Sequence, residues 1–214
     1  MTGRLMQTLS QLAAGQSLAR IRMNQAFARH TLTGRVVDVG GGRNPDYFSY
    51  FKMAEGAHVE AIDGSLSGID FETDALPYDD GTVDTVLMAN VLEHIFKHSF
   101  LLGEAARILV PGGKLVGFVP FWTGYHPDPH DYFRYTGEAL ERLLRDAGFE
   151  RVSVTPVGDG PVLANFNTIV LSVPRFLRPA LFLWYAVWDG LFLALRPGAR
   201  ARTPLGYVFA GYSR

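Results

Sequence analysis

The sequence predicts an α/β fold, a mostly parallel sheet with helices on both faces, and three observations predict it. The first is Arg35 to Asn44, RVVDVGGGRN, where valines around Asp38 run straight into Gly40, Gly41 and Gly42. A buried strand that ends in glycines lets the backbone turn sharply and come close to a ligand. The second is Asp63, 25 positions beyond Asp38 and directly after the strand-like Val59 to Ile62. That is near the span at which an acid at the end of a second strand accepts hydrogen bonds from a ribose diol, and its competing role is a turn cap. The third is the alternation of apolar strand-like runs with helical segments through the rest of the chain, the pattern of a sheet covered on both faces.

Residues 4–30 carry Leu5, Leu9, Leu12, Leu18, Ile21, Met23 and Phe27 at helical spacing, with Gly15 dividing two pieces. Such a leader would lid the glycine loop or pack on the sheet edge. After the first strand a short helical run reaches Met53, and Val59 to Ile62 is the next strand. The polar, turn-rich stretch 66–82 is expected to contain a third parallel strand ending near Asp70 or Phe71. Val83 to Ala89 is an apolar strand, and Asn90 to His94 lies at its C-terminal end, where open α/β sheets bind ligands. A helix from Ser99 to Leu109 closes at Pro111-Gly112-Gly113, before a strand from Lys114 to Val119. A helix over Thr136 to Ala147 has Thr136 as N-cap and Gly148 beyond its end. Val152 to Pro156 and Tyr207 to Tyr212 complete a seven-strand-type sheet. The organisation predicted is one domain: a helical segment 1–33, a ligand-binding core 34–156, a helical insertion 157–204 and a closing strand 205–214.

Composition narrows the function classes. At 214 residues and 48% hydrophobic, the chain builds one sizeable core. A formal net charge of -1 gives no general attraction to nucleic acid. The absence of cysteine excludes disulfides and thiolate chemistry. The N-terminal residues lack the apolar run of a signal peptide, so a cytoplasmic location is expected. At the glycine loop, no Lys-Ser/Thr pair follows as in a nucleotide-triphosphate site, and Asp38 at the strand end suits an amine or cation better than a pyrophosphate.

Taken together, these stretches resemble the class I S-adenosylmethionine-dependent methyltransferases of the small-molecule, biosynthetic type, a Rossmann-like fold. The resemblance covers about residues 35–155. It rests on Asp38 to Asn44 as the acid-x-Gly-x-Gly-x-Gly loop (Asn44 replacing the last glycine), Asp63 as the ribose acid, and DALPYDDGTVD from Asp74. Asn90-Val91-Leu92-Glu93-His94 and the Arg107 to Gly113 turn complete it. The resemblance implies S-adenosylmethionine as cofactor and S-adenosylhomocysteine as product. Asp38 would face the methionine amine, and Gly40 and Gly42 would let the backbone pass the homocysteine part. Asp63 would take the ribose hydroxyls, Asp74 the adenine amine, Ala75 a backbone contact to the ring, and Asn90 the amino-acid end. Gly41, Asn44 and Gly64 complete that set.

On the substrate side, Pro120 to Thr136, PFWTGYHPDPHDYFRYT, follows a strand and is dense in polar and aromatic side chains. Trp122, Tyr125, His126, Asp131, Tyr132 and Arg134 are its expected acceptor contacts. The DYFRYT run resembles relatives encoded with saccharide or natural-product pathways, which implies a hydroxylated or glycosyl-like acceptor. His94 and His130 are the candidate bases, because imidazole titrates near neutrality; each could equally hold its loop in place. A metal site from His126, His130 and Asp131 is disfavoured by Pro127 and Pro129, and no metal is expected. The insertion contains FLRPALFLWYAVWDGLFLAL from Phe176 to Leu195, interrupted by Asp189. It reads as an interfacial helix on a membrane, a dimer contact or a lid over an apolar substrate. The leading expectation is methyl transfer at oxygen of a small, sugar-linked or lipid-linked intermediate, with no nucleic-acid partner. The alternatives are C-methylation or cyclisation on the same fold, or a cofactor-binding scaffold.

Overall fold

The computed structural model describes residues 2–42 and 46–214. Its strands are β1 (Thr31–Leu32), β2 (Arg35–Val39), β3 (Lys52–Met53), β4 (His58–Ile62), β5 (Val83–Ala89), β6 (Leu109–Pro120), β7 (Glu150–Val157) and β8 (Gly206–Tyr212). Its α-helices are α1 (Thr2–Ala14), α2 (Leu18–Phe27), α3 (Gly64–Ser67), α4 (His98–Ile108), α5 (Gly137–Asp146), α6 (Pro161–Ile169) and α7 (Arg178–Leu195). Two compact units emerge. One gathers residues 27–120, 125–155 and 207–214, and the other 1–26, 121–124 and 156–206.

The sheet unit is organised by a six-stranded sheet in the order β4-β2-β5-β6-β8-β7, with β1 and β3 forming a separate parallel pair. Strand β2 is parallel to both β4 and β5, and β5 is parallel to β6. Val36, Val37 and Val39 are fully buried, as valines on a strand covered on both faces must be. Leu101, Leu102 and Ala105 of α4 and Leu140 and Leu144 of α5 bury one stripe of each helix in the same core. Thr136 accepts the N–H of Ala139 and caps α5 as its sequence predicts, and Gly148 takes a positive φ of 94° past the end.

Three expectations are corrected. The sheet has six strands rather than seven and is mixed: Ser213 exchanges backbone hydrogen bonds with Gly112 and Gly113 at the start of β6. The end of β8 therefore lies beside the beginning of β6, an antiparallel arrangement. No strand forms near Asp70. Asp74 Oδ2 accepts the N–H of Asp70, and Asp70 Oδ1 that of Glu72, so local carboxylate turns win the backbone. The Pro111-Gly112-Gly113 turn does not precede the strand but lies within β6. Leu109 pairs with Val83 and Lys114 with Thr85, so four residues bulge opposite Asp84.

In the helical unit, α1 and α6 pack on α7 around Leu12, Ile21, Phe166 and Phe182. The leader thus packs on α7, and Leu5 faces solvent rather than the core. Asp189, the interruption in the apolar run, is buried at the start of α6. Its Oδ2 accepts the N–H of Gly160 at 2.8 Å, and Oδ1 those of Val162 at 2.9 Å and Leu163 at 3.3 Å. It caps a helix that has no side-chain cap of its own. Arg178 is likewise buried and donates to the carbonyls of Val173, Gly15 and Leu171.

Candidate active site

The chain passes from β2 outward to β4 and then returns to β5 on the other side of β2. That reversal opens a crevice at the carboxyl ends of β2 and β5. Registers bring the ends level: Val39 pairs with Ile62, so Gly40 and Asp63 leave the sheet side by side. On the far side of the crevice Asn90 follows Ala89 with φ 57°, and its N–H is held by Phe118 O at 2.9 Å. Asparagine is among the few side chains that tolerate this left-handed geometry.

A cavity of about 580 Å³ fills this crevice. Among the sequence-predicted residues, Gly40, Asp63, Gly64, Asn90, His94, His130 and Tyr132 line it. Asp63 is also a turn cap, since its Oδ1 accepts the N–H of Leu66 at 3.2 Å at the start of α3. The lining includes Asp63, Asp70, Glu72 and Asp128 but no lysine or arginine among the described residues. A wall of that sign favours a cation or hydroxyls and disfavours a polyphosphate.

Other predicted residues lie elsewhere. Asp38 is buried beneath the glycine turn, where Tyr47 donates to Oδ2 at 2.6 Å and a Cβ on Gly41 would sit 1.8 Å from the same oxygen. Its Oδ1 has no hydrogen-bond partner among the described residues. Burial raises its pKa to about 7, partly opposed by the Tyr47 bond. Gly42 is not among the lining residues, and Asn44 falls outside the described residues. Asp74 and Ala75 are exposed and absent from the lining. Ile69, Asp70, Phe71 and Glu72 provide that wall, which sequence reasoning missed by assigning a strand there. Trp122 belongs to the helical unit, where its carbonyl accepts from Asn167 at 3.4 Å.

The 125–135 loop is tied to the turn after β5, because Tyr132 and Phe133 donate their N–H groups to Glu93 O and the Tyr135 hydroxyl donates to Leu92 O. Within it Arg134 grips Asp131 with two bonds, Nη1 to Oδ1 at 2.5 Å and Nη2 to Oδ2 at 2.7 Å. Those bonds hold the Asp131 carboxyl well below the usual range. Asp131 Oδ2 also accepts the N–H of His126 at 2.9 Å. Asp131, Arg134, His126 and exposed Tyr125 lie outside the cavity lining. His94 does line it, with Nδ1 2.6 Å from the carbonyl of His130.

This geometry has known relatives. A family model described as a methyltransferase domain matches residues 11–154. The chain belongs to that family. An uncharacterized methyltransferase of Mycolicibacterium gilvum is 35% identical over 104 residues, 42% of this chain and 40% of that protein. A probable S-adenosylmethionine-dependent methyltransferase of Mycobacterium tuberculosis is 27% identical over 117 residues, 52% of this chain and 43% of that one. The chain spans only 28% to 43% of the first curated relatives it matches. Among solved structures, a geranyl diphosphate methyltransferase in complex with S-adenosylmethionine superposes with a TM-score of 0.57 at 15% identity, over 96% of this chain and 90% of that one. At that identity the likeness is one of fold.

The methyltransferase's cofactor is S-adenosylmethionine, and the crevice suits it. Gly40 has φ 78°, and a Cβ there would come 2.6 Å from Val91 Cγ2, so only glycine leaves this backbone open. Asp38 Oδ1, without a hydrogen bond among the described residues, and the acidic lining both favour a ligand that carries an amine, a sulfonium charge and a ribose diol. The Arg107 turn of the family pattern is structural. Its guanidinium bonds Glu104, Asp80 and the carbonyls of Leu76 and Tyr78, pinning the DALPYDD segment to α4.

Proposed function

We propose that this methyltransferase transfers the methyl group of S-adenosylmethionine to oxygen of a small, sugar-linked or lipid-linked acceptor. The observation that carries the reading is one cavity lined by a glycine turn and ribose-type acid at one side and by His94, His130 and Tyr132 at the other. S-adenosylmethionine, when bound, supplies an electrophilic methyl on sulfonium. Gly40, Asp63, Gly64 and Asn90 bind and orient it, with Asp38 supporting the turn from below. Among the other cofactor assignments, Gly41 and Gly42 shape the loop, and Asp74 supports the Asp70–Glu72 wall by accepting the N–H of Asp70. His94 is the preferred base. A carbonyl only accepts, so the contact with His130 O keeps the proton on Nδ1 and leaves Nε2 able to take one from a hydroxyl. Alignment of acceptor oxygen and methyl carbon then supplies most of the acceleration.

A lipid-linked acceptor is supported by α7. Leu183, Trp184, Val187, Trp188, Leu191 and Leu195 are exposed along one face, while Phe182 and Asp189 of the same helix are buried. Arg196, Arg200 and Arg202 follow its end. The helix is long and apolar enough to cross a bilayer by length and composition, but Asp189 and Arg178 dock it on protein. An interfacial helix is the reading this pattern favours. Replacing Trp184 and Trp188 by Glu should abolish co-sedimentation with anionic vesicles; dimerisation lost in that variant instead would assign the face to a second copy.

The cofactor assignment is tested by calorimetry with S-adenosylmethionine on wild type and Asp63→Ala. Saturable binding that weakens roughly 10- to 100-fold in the variant supports it. A well-folded wild type that does not bind would overturn it.

A further inference from the structure

Glu93 lies in the 3-10 turn Leu92–His94 after β5 and is fully buried. Neither of its carboxylate oxygens accepts a hydrogen bond among the described residues. A buried carboxylate left this way is costly, and it marks a place where something else completes the structure. Facing its Oε1 are Nε2 of His94 at 3.7 Å and Nε2 of His126 at 3.8 Å. One ligand atom from each of the three residues lies within 4.8 Å of the others.

The tautomer of His94 decides what such a cluster can hold. Its Nδ1 is 2.6 Å from the His130 carbonyl and donates to it. In the neutral ring, Nε2 then carries a lone pair and lies 3.7 Å from Glu93 Oε1. Two acceptors facing each other repel unless a proton or a metal cation lies between them. His126 Nδ1 lies 3.3 Å from Arg134 Nη2, which donates to it, and 3.6 Å from Asp131 Oδ2; ligation through Nε2 moves the ring proton to Nδ1, toward that carboxylate.

We propose that Glu93, His94 and His126 form a site for one divalent transition-metal ion of the zinc type, with its open position toward the cavity that His94 lines. Two imidazoles and one carboxylate are a donor set of catalytic zinc sites. Zinc bonds of about 2.0–2.1 Å put tetrahedral ligand atoms about 3.3–3.4 Å apart, so the cluster, at 3.7 and 3.8 Å from Glu93 to the two histidines and within 4.8 Å throughout, contracts onto the ion. With one carboxylate the bound ion keeps a net positive charge and favours an anionic oxygen. This rests on the methyl-transfer reading and gives the ion a task within it. The acceptor hydroxyl coordinates and loses its proton to solvent, and its oxygen pair forms the bond to the methyl carbon. The methyl–sulfur bond breaks with its electrons on sulfur, leaving S-adenosylhomocysteine. His94 then acts as a ligand rather than as the base.

The test is a Co²⁺ titration of the chelator-stripped full chain, read by visible d–d absorption and by displacement with Zn²⁺. One Co²⁺ per chain is expected, with affinity falling at least about 100-fold in both Glu93→Gln and His126→Ala. S-adenosylmethionine binding is measured on the same samples and should persist. Absence of Co²⁺ binding by wild type that still binds S-adenosylmethionine overturns the metal site alone, as does Co²⁺ binding unchanged in both variants. Loss of S-adenosylmethionine binding by wild type would strike the methyl-transfer reading instead. If Glu93→Gln does not fold, His126→Ala, at a half-exposed loop position, still decides.

Discussion

In the helical unit, buried Asp189 accepts three backbone N–H groups and buried Arg178 donates to three carbonyls. In the sheet unit, Glu93 leaves both oxygens without a hydrogen bond and Asp38 leaves one, among the described residues. The two sets of charges are comparably shielded from water, yet one is satisfied by its own chain and the other is not. Charges completed by backbone hold helices together. Charges left open sit beside the crevice whose strand ends and glycine turn are shaped for a ligand. The contrast separates architecture from binding more sharply than burial does.

That contrast can be broken most directly at Asp189. Asp189→Ala strands three N–H groups at the start of α6, and urea unfolding should show a loss of about 3 kcal/mol. Affinity for S-adenosylmethionine in the folded fraction should stay within about twofold, a change too small to register on the binding scale; a larger fall would mean that the helical unit shapes the site. Gly40→Ala is the converse probe. It forces a side chain into a left-handed backbone against Val91, and calorimetry should report affinity at least about 30-fold weaker.

Asp38 sharpens the comparison through pH. Folding raises its pKa from 3.8 to about 7, so between those values the native state holds a proton that the unfolded chain has released. This contribution to stability is therefore lost as pH rises through that window and is flat above it. Denaturation midpoints across the window should fall for wild type and lose that slope in Asp38→Asn, which should be more stable by about 1–2 kcal/mol above pH 7. Saturating S-adenosylmethionine should reduce the wild-type slope, because a nearby ammonium favours the ionised carboxylate; an unaltered slope would place the amine elsewhere. The smallest effect is expected at Thr136→Ala, about 1 kcal/mol in thermal or urea unfolding from loss of one cap bond on α5, with no change in ligand affinity.

The sequence by itself determined the local features with short-range causes: Thr136 as a cap, Gly15 as a break, the strand from Arg35 into glycine, and Asp63 at the end of the next strand. Each depends on a few neighbouring residues and a fixed periodicity, so it is written in linear order. The Asp70 turn escaped because carboxylates that bond their own backbone compete with a strand on nearly equal terms. Only the tertiary structure decided that Asp189 caps α6, 26 to 29 positions before it in the chain. The meeting of Glu93 with His126 was equally hidden, since it depends on how the 125–135 loop folds back onto the turn after β5. Whether a buried charge is satisfied depends on partners that only folding brings within hydrogen-bond distance, and the sequence carries no local signal for it.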